Sequence, residues 1–306
     1  MRLIFIATGD IALPSFRHLL ENGPRPLALV TQPDKPAGRH QRLTPPAIKS
    51  DAEAAGIPVY QPERIGDIAG ELAALEPDIV VVMAYGQILR KSILTMPGKA
   101  IINLHASLLP AYRGAACIQA AIDAGDAETG ITAMHVVREL DAGDMIVWKA
   151  IPIAADETGG SLHDRLAELA PAVLADTLEK LTAGDAPRIP QDAAASSYVP
   201  KLGRDDGLLD WSQDAAALER RIRAYDPWPG TFTRIVDESG TKRLKIFPPT
   251  VVVERDLTTG EVLMDEGGLL VGCGAGSLRL ETVQPEGGRR MSAAEFFRGH
   301  KPDRFS

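Results

Sequence analysis

Three polar residues at every second position, Asn103, His105 and Ser107, are the strongest candidates for chemistry in this sequence. Asn103 lies within the run 100–104, which has the composition of a buried strand, and His105 and Ser107 follow that run. Side chains alternate between the two faces of a strand, so an extended backbone would direct all three the same way. In open α/β sheets, ligands bind beyond the carboxyl ends of the strands. This pattern therefore predicts an active site at residues 103–107.

Asp141 completes the candidate site, because it lies in a loop that joins two neighbouring predicted strands. A histidine can exchange a proton near neutral pH, an asparagine amide can donate to a developing oxyanion, and a carboxylate can orient the imidazole. The same spacing is compatible with a capping role for His105 and Asp141. No Ser or Cys lies in a nucleophile-elbow pattern, which favours direct transfer between two bound substrates over a covalent intermediate.

The elements that must position these residues begin with a strand at 2–7, a helix at 15–22 and a strand at 27–31. This order is typical of a doubly wound sheet, and the fully apolar run 78–83 predicts a strand covered on both faces. The G-x-G-x-x-G fingerprint is absent after the first strand, which argues against a bound dinucleotide. We predict an α/β fold with a Rossmann-like, mostly parallel sheet and helices on both faces.

The pattern changes after residue 184. Residues 185–200 are rich in Ala, Pro, Ser and Asp and have the composition of a linker. Short alternating runs follow between 232 and 283, with 243–247 and 250–253 as separate strands, and they predict a small β-barrel of OB-like type. We therefore predict three parts: a catalytic domain at 1–184, a linker at 185–203 and a C-terminal β-barrel domain at 204–306.

Residues 32–46 interrupt the α/β pattern with four prolines and a cluster of basic residues. A connection of this length inside an α/β unit tends to be functional or mobile. Two interpretations stay open: a solvated surface loop, and a basic finger for a polyanionic substrate.

Composition limits the class of protein. The chain has 306 residues, is 45% hydrophobic and carries a net charge of −8, which argues against general coating of nucleic acid. The first apolar run, 3–7, is too short for a signal peptide or a membrane span. Cys117 and Cys273 are far apart and form neither a disulfide framework nor a paired metal site, so we expect a reducing, cytoplasmic compartment and no metal.

Arg220, Arg221 and Arg223 share a predicted helix, for which a solvated face is the default interpretation.

The segment NLHASLLPAYRGAACIQAAI, followed by ETGIT and ELDAGDM, resembles the signature of the folate-dependent formyltransferases. The resemblance implies transfer of a formyl group from the co-substrate 10-formyltetrahydrofolate to an amine. The catalytic residues that it implies are Asn103, His105 and Asp141. The folate-binding residues that it implies are Ser107, Leu108, Leu109 and Pro110.

Four further segments extend the resemblance, over nearly the whole chain, to the members of this family that act on methionyl-tRNA: PDKPAGRHQRLTPPAIK, YVPKLGRDDGLLDWS, LERRIRAYDPWPGTF and QPEGGRRMSAAEFFRG. The implied acceptor is the α-amine of initiator methionyl-tRNA, and the implied role is translation initiation. The first segment is similar to a tRNA-probing loop, with Arg39 as the key residue, and the later ones to a barrel that contacts the tRNA. The tRNA-binding residues implied are Arg39, Lys35 and Arg42. We expect a monomer that does not associate with membranes.

Two positions depart from the family pattern: Cys117, where a proline is usual, and Thr8-Gly9-Asp10, where Gly-Thr-Pro is more frequent. An amino-sugar formyltransferase, with a nucleotide-sugar acceptor and the same donor, is the alternative enzyme. A folate- or RNA-binding module without transfer activity is the non-enzymatic alternative. Glycinamide ribonucleotide formyltransferase is disfavoured, because it would leave residues 200–306 without a role.

Overall fold

The computed structural model describes residues 1–37, 42–237 and 240–306. The α-helices are α1 (Leu13–Asn22), α2 (Ala47–Ala54), α3 (Ala69–Ala73), α4 (Lys91–Leu94), α5 (Cys117–Ala124), α6 (Gly159–Ala183), α7 (Ala215–Ala224) and α8 (Ala293–His300). The strands are β1 (Leu3–Ala7), β2 (Ala28–Val30), β3 (Lys35–Ala37), β4 (Arg42–Thr44), β5 (Val59–Tyr60), β6 (Ile79–Met83), β7 (Ala100–His105), β8 (Arg113–Gly114), β9 (Glu128–His135), β10 (Met145–Pro152), β11 (Tyr198–Val199), β12 (Thr231–Asp237), β13 (Gly240–Val253), β14 (Val262–Asp265), β15 (Gly268–Gly272), β16 (Ser277–Pro285) and β17 (Met291–Ser292).

The described residues form two compact units that are interleaved along the sequence. The first unit comprises Met1–Gly114, Thr129–Ile151 and His163–Val199. The second unit comprises Ala115–Glu128, Pro152–Leu162 and Pro200–Ser306. The second unit therefore includes two short stretches that lie between parts of the first unit in the sequence.

The first unit is built on a seven-stranded sheet with the order β10-β9-β7-β6-β1-β2-β5. Strands β7, β6, β1, β2 and β5 run parallel, with Ile4 of β1 between Ala28 of β2 and Val80 of β6. Every residue of β1, β2 and β6 is buried, as expected for strands covered on both faces. This sheet confirms the predicted Rossmann-like, mostly parallel α/β fold.

Strand β7 stands at the change of strand direction in this sheet. It pairs in parallel with β6 on one side and antiparallel with β9 on the other, where His105 lies opposite Thr132 and Asn103 opposite Met134. The carboxyl end of β7 is therefore flanked by the carboxyl end of β6 and by the middle of β9. This arrangement brings the polar side chains of β7 to the edge of the sheet where ligands bind in such folds.

The interruption at residues 32–46 contains more regular structure than its composition indicates. Strands β3 and β4 pair antiparallel, with Lys35 opposite Thr44 and Ala37 opposite Arg42. The prediction of an irregular loop is wrong for these residues, because three-residue strands are too short to show an alternating pattern. Residues 38–41, which include Arg39, lie outside the described part of the chain.

The second unit contains an antiparallel sheet with the order β12-β13-β16-β15-β14, and β17 pairs with β16. Its hydrophobic core includes Trp211 from the segment before α7 and Phe305 from the chain end, whose ring centroids are 6.0 Å apart. The Trp211 indole donates to Thr233 Oγ1 at 2.9 Å, which satisfies its buried N–H. This unit is consistent with the predicted small barrel.

Strand β13 corrects one sequence-based prediction. Residues 243–247 and 250–253 are not separate strands, because both belong to β13 and both pair with β16. The register shifts between Phe247 and Thr250. A proline cannot donate to the ladder, so Pro248 and Pro249 produce an irregularity inside one strand where the sequence indicates an interruption.

The three arginines of α7 are bound to neighbouring groups within the second unit, so the interpretation of a solvated face is wrong. Arg221 donates to Asp123 Oδ2 from Nη2 at 2.8 Å, and Arg220 Nε donates to the Asp123 carbonyl oxygen at 3.1 Å. Arg223 pairs with Glu219 at 2.5 Å, one helical turn away.

In the described part of the chain, no helix has both the length and the apolar composition needed to cross a membrane.

Candidate active site

The predicted trio of Asn103, His105 and Asp141 meets in the first unit. Asn103 Nδ2 donates to Asp141 Oδ1 at 3.4 Å, and His105 Nδ1 lies 3.8 Å from Asp141 Oδ2. Because Asn103 and His105 approach the same carboxylate, they lie on one face of β7, as their spacing predicts. His105 and Asp141 are shielded from solvent, with side chains that are 6% and 10% exposed.

The His105 ring is held by a backbone group. Its Nε2 lies 2.8 Å from the carbonyl oxygen of Tyr112. A carbonyl can only accept, so Nε2 carries a hydrogen, and Nδ1 is directed towards Asp141. The 3.8 Å separation of Nδ1 from the carboxylate is an electrostatic contact and not a hydrogen bond. Sequence reasoning missed Tyr112, because a backbone carbonyl leaves no side-chain signature.

Asp141 is fixed by contacts to its side chain and to its backbone. Its Oδ2 accepts a hydrogen bond from the Gly114 N–H at 2.9 Å. Its backbone is in the left-handed region, with a φ of 50°, and its carbonyl oxygen accepts from Gln191 Nε2 at 2.8 Å. Gly114 and Gln191 were not among the predicted site residues. The carboxylate therefore stands between Asn103 and the Gly114 amide, next to the imidazole.

The residues implied for folate binding, Ser107, Leu108, Leu109 and Pro110, form a turn directly after β7. The Ser107 hydroxyl donates to the carbonyl oxygen of Ala111 at 2.7 Å, and Ser107 is fully buried. β7 ends at His105, so the extended geometry that would align Ser107 with the trio does not continue. Ser107 therefore closes its own turn in this structure.

Thr132 of β9 supports this turn from the neighbouring strand. Its hydroxyl donates to the Ser107 carbonyl oxygen at 2.7 Å and accepts from the Leu109 N–H at 3.2 Å. Thr132 is fully buried, so these two backbone groups are satisfied away from water. Thr132 belongs to the ETGIT segment of the family resemblance, which thus contributes a structural contact to the turn.

The three residues implied for tRNA binding are described to different extents. Lys35 lies exposed on β3, and the backbone of Arg42 pairs with Ala37 in the same hairpin. Arg39 lies outside the described residues.

Within residues 1–37, 42–237 and 240–306, no group of three or more His, Cys, Asp and Glu side chains is arranged to hold a metal ion.

The two departures from the family pattern occupy structural positions. Thr8 Oγ1 accepts from the Gln32 N–H at 3.1 Å and from the Thr31 hydroxyl at 3.3 Å, so it joins the ends of β1 and β2. Cys117 is the first residue of α5 and is buried. A proline is suited to the first position of a helix, since its missing N–H would have no partner there. The helix forms here with cysteine as its first residue, although cysteine lacks the suitability of proline for that position.

Two family patterns match separate parts of the chain. The family described as "Formyl transferase" matches residues 1–178, and "Formyl transferase, C-terminal domain" matches residues 201–301. This chain belongs to the formyl transferase family. The resemblance inferred from the sequence motifs is thereby confirmed, and the chain is a formyl-transferring enzyme.

Relatives resemble the chain over almost its whole length. The methionyl-tRNA formyltransferase of Akkermansia muciniphila is 50% identical over 305 residues, which cover 98% of this chain and 97% of that protein. The methionyl-tRNA formyltransferase of Geobacter metallireducens is 42% identical over 301 residues, which cover 98% of this chain and 96% of that protein. The similarity therefore includes both family regions.

Solved structures with low sequence identity share the fold. HypX from Aquifex aeolicus, in complex with tetrahydrofolic acid, is 17% identical with a TM-score of 0.65, and the match covers 97% of this chain. This chain spans about half the length of HypX, since the match covers 47% of that chain. The N-formyltransferase from Helicobacter canadensis, in complex with folinic acid and dTDP-3-aminofucose, is 16% identical with a TM-score of 0.68, over 95% of this chain and 100% of that one.

Proposed function

We propose that this chain transfers the formyl group of 10-formyltetrahydrofolate to the α-amine of methionine on initiator methionyl-tRNA, for translation initiation. The observation that carries the proposal is the 50% identity to a methionyl-tRNA formyltransferase along 98% of the chain. The N-formyltransferase of Helicobacter canadensis, whose structure contains dTDP-3-aminofucose, shares only 16% identity, so the amino-sugar alternative is not favoured. The non-enzymatic alternative is also disfavoured, because the chain belongs to a family of transferases.

The site supports a folate donor bound along Ser107, Leu108, Leu109 and Pro110. This turn follows β7 directly, so a donor seated there would bring its transferable group close to the trio. Asn103 supplies an amide N–H, which is the type of group that stabilises a carbonyl oxygen as it gains charge. A Cβ at Gly130 would collide with the carbonyl oxygen of Lys149 and would lie 2.7 Å from Leu108 Cδ2, so the turn packs closely against β9. The Asn103 amide and the position of the turn directly after β7 are the features that fit a formyl donor.

Three side chains divide the chemistry in this proposal. When bound, the folate would supply the formyl carbon. The methionyl amine forms a bond to that carbon, the bond between the carbon and the folate nitrogen breaks, and the proton that the amine loses is balanced by one that the departing folate nitrogen gains. Asn103 Nδ2 donates to the formyl oxygen while negative charge develops there, and the His105 imidazole acts as a second stabilising group through its positive charge when it is protonated. Asp141 holds the Asn103 amide at 3.4 Å and places a negative charge 3.8 Å from His105 Nδ1. No covalent enzyme intermediate is required.

The amino-terminal and carboxyl-terminal domains have different roles in this proposal. Residues 1–184 supply the catalytic domain, 185–203 connect it to the barrel at 204–306, and the barrel contacts the tRNA. Arg39 probes the acceptor end of the tRNA, and Lys35 and Arg42 also bind the tRNA. In this proposal the enzyme works as a cytoplasmic monomer without a metal.

The test compares acceptors with the purified full chain and 10-formyltetrahydrofolate in single turnover. We expect rapid formylation of initiator methionyl-tRNA and much slower formylation of elongator methionyl-tRNA. Formylation of a dTDP-amino sugar at a comparable rate would replace the proposal with the alternative enzyme. Tight binding of donor and tRNA without any transfer would reduce the chain to a binding module.

A further inference from the structure

The segment 189–199, which composition assigns to a linker, is tied to the active-site loops at both of its ends. Near its beginning, Ile189 exchanges two backbone hydrogen bonds with Met145, at 2.8 and 3.1 Å. At its end, β11 pairs in parallel with β8, so that Tyr198 lies opposite Arg113 and Val199 opposite Gly114. These contacts place the segment beside the loop after β7 and beside the loop that carries Asp141.

Gln191 joins these two loops through its side-chain amide. Its Nε2 donates to the carbonyl oxygens of Asp141 and Gly143, both at 2.8 Å. Its Oε1 accepts from Arg113 Nε at 3.0 Å and from Arg113 Nη2 at 2.8 Å. An amide has two donor hydrogens and two acceptor lone pairs, and all four are used here. A side chain that only covers the surface would not be satisfied in this way.

The Asp141 loop needs support of this kind. Asp141 has a φ of 50°, a backbone region that is unfavourable for a residue with a side chain. A side chain at Gly143 would collide with the carbonyl oxygen of His135, so the loop is packed closely against β9. The two hydrogen bonds from Gln191 hold the carbonyls on either side of Ala142. The position of the Asp141 carboxylate therefore depends on a residue 50 positions away in sequence.

We propose that Gln191 is a positioning residue for formyl transfer, which sets the place of the Asp141 carboxylate relative to Asn103 and His105 through its two donor hydrogens. The inference rests on the proposed function, since it assigns the support of that reaction's trio. Gln191 touches no reacting atom, so it acts through Asp141. A small displacement of a catalytic group can lower turnover strongly, because the reacting geometry is narrow.

Two substitutions separate the donor role of Gln191 from its contact with Arg113. Q191M keeps the length of the side chain and removes all four hydrogen bonds. Q191E keeps an acceptor for Arg113 but removes both donors to the Asp141 loop. We expect each variant to lower kcat by about tenfold or more and to leave the KM values for the folate and for methionyl-tRNA within about twofold. Wild-type turnover in Q191E would overturn the inference, because the Arg113 contact alone would then suffice.

S196A is the matched control, since Ser196 is in the same segment and its hydroxyl donates to the nearby Ala193 carbonyl at 2.8 Å. We expect S196A to keep wild-type kcat. Amide hydrogen exchange of Gly114 supplies a readout that needs no turnover, because its N–H donates to Asp141 Oδ2 at 2.9 Å. In Q191M this amide should exchange about tenfold faster or more, with global unfolding unchanged.

The two measurements distinguish failure of the inference from failure of the proposed function. A wild-type enzyme that formylates no methionyl-tRNA would refute the proposed function, and the Gly114 exchange rate would still decide the role of Gln191. Unchanged Gly114 exchange in Q191M would overturn the inference whatever the acceptor is. A fall in kcat that S196A reproduces would also overturn it, since the effect would then belong to the segment as a whole.

Discussion

Asn103 is the residue of the trio whose removal has the simplest expected effect, because its amide has one contact within the trio, a long hydrogen bond of 3.4 Å to Asp141. We expect N103A to lower kcat by about 10²-fold, as loss of one oxyanion donor does in other enzymes. This change in kcat is measured by steady-state formylation of methionyl-tRNA. N22A is the control, since Asn22 ends α1 and is the only other asparagine in the chain. Near-normal turnover in N103A would remove Asn103 from the catalytic group.

His135 should make the stability of the first unit depend on pH. It is 7% exposed, and its Nε2 has no hydrogen-bond partner in the part of the chain that the structure describes. Burial lowers the pKa of His135, and Arg188 lowers it further, while Asp144 opposes the change. The unfolded chain therefore binds this proton first as the pH falls, so stability is lost below the ordinary histidine pKa of about 6.5.

The variant H135L tests this pH dependence. The free energy of unfolding of the wild type, measured by urea denaturation, should decrease between pH 7 and pH 5. In H135L the decrease should be smaller, because the leucine binds no proton. H18L, with the same change at a half-buried histidine of α1, should retain more of the wild-type decrease. An identical pH dependence in the wild type and H135L would contradict the prediction.

At the scale of single residues, the sequence identifies the candidate catalytic side chains better than it identifies the groups that hold those side chains in place. Asn103, His105 and Asp141 could be selected because their chemistry and spacing are visible in the sequence. The groups that hold them could not, since two are backbone groups, the Tyr112 carbonyl and the Gly114 amide. Gln191 was not selected because its segment has the composition of a linker.

Strand β9 supports the donor turn through one hydroxyl, which allows a prediction about an element. T132V keeps the shape of the side chain and removes the two hydrogen bonds to Ser107 and Leu109. Since each such bond contributes about 1 kcal/mol, we expect the KM for 10-formyltetrahydrofolate to rise by roughly tenfold while the KM for methionyl-tRNA is unchanged. T129V is the control, as Thr129 is a buried threonine of the same strand.

The steady-state KM values of both variants for both substrates measure this effect. Equal increases for the folate and the tRNA in T132V would indicate a general loss of structure. A folate KM that T129V raises as much as T132V would show that any buried change in β9 is sufficient. Either outcome would contradict a specific role of Thr132 in supporting the turn.

The elements that the sequence predicts well are the long and buried ones. The runs 78–83 and 100–104 became β6 and β7, because a strand buried on both faces has a continuous apolar sequence. Strands β3, β4, β8 and β11 have only two or three residues and show no period. They form because a partner strand is in place, which is tertiary information that local patterns do not contain.

The charge of the whole molecule sets an expectation for tRNA binding. With a net charge of −8, the protein should attract RNA through local groups and not through a general field. We expect R39A to weaken tRNA binding, to reduce the slope of log Kd against log salt by about one, and to leave the folate KM unchanged. Binding of initiator methionyl-tRNA at several salt concentrations measures this slope.

R64A is the control for that experiment, because Arg64 is an exposed arginine elsewhere in the first unit. It should leave the slope at the wild-type value. An R39A variant with wild-type affinity and slope would remove Arg39 from the tRNA contact. Residues 32–46 would then be interpreted as a solvated surface segment, which is the other interpretation that their sequence leaves open.

The interleaving of the two units affects how relatives of this enzyme can exchange parts. Helix α5 is encoded within the stretch matched as the catalytic family region, yet its Asp123 is bound by Arg220 and Arg221 of α7. A chimera joined once near residue 200 would take α5 from one parent and α7 from the other. We therefore expect a chimera to keep these contacts reliably only when residues 115–128 come from the same parent as α7.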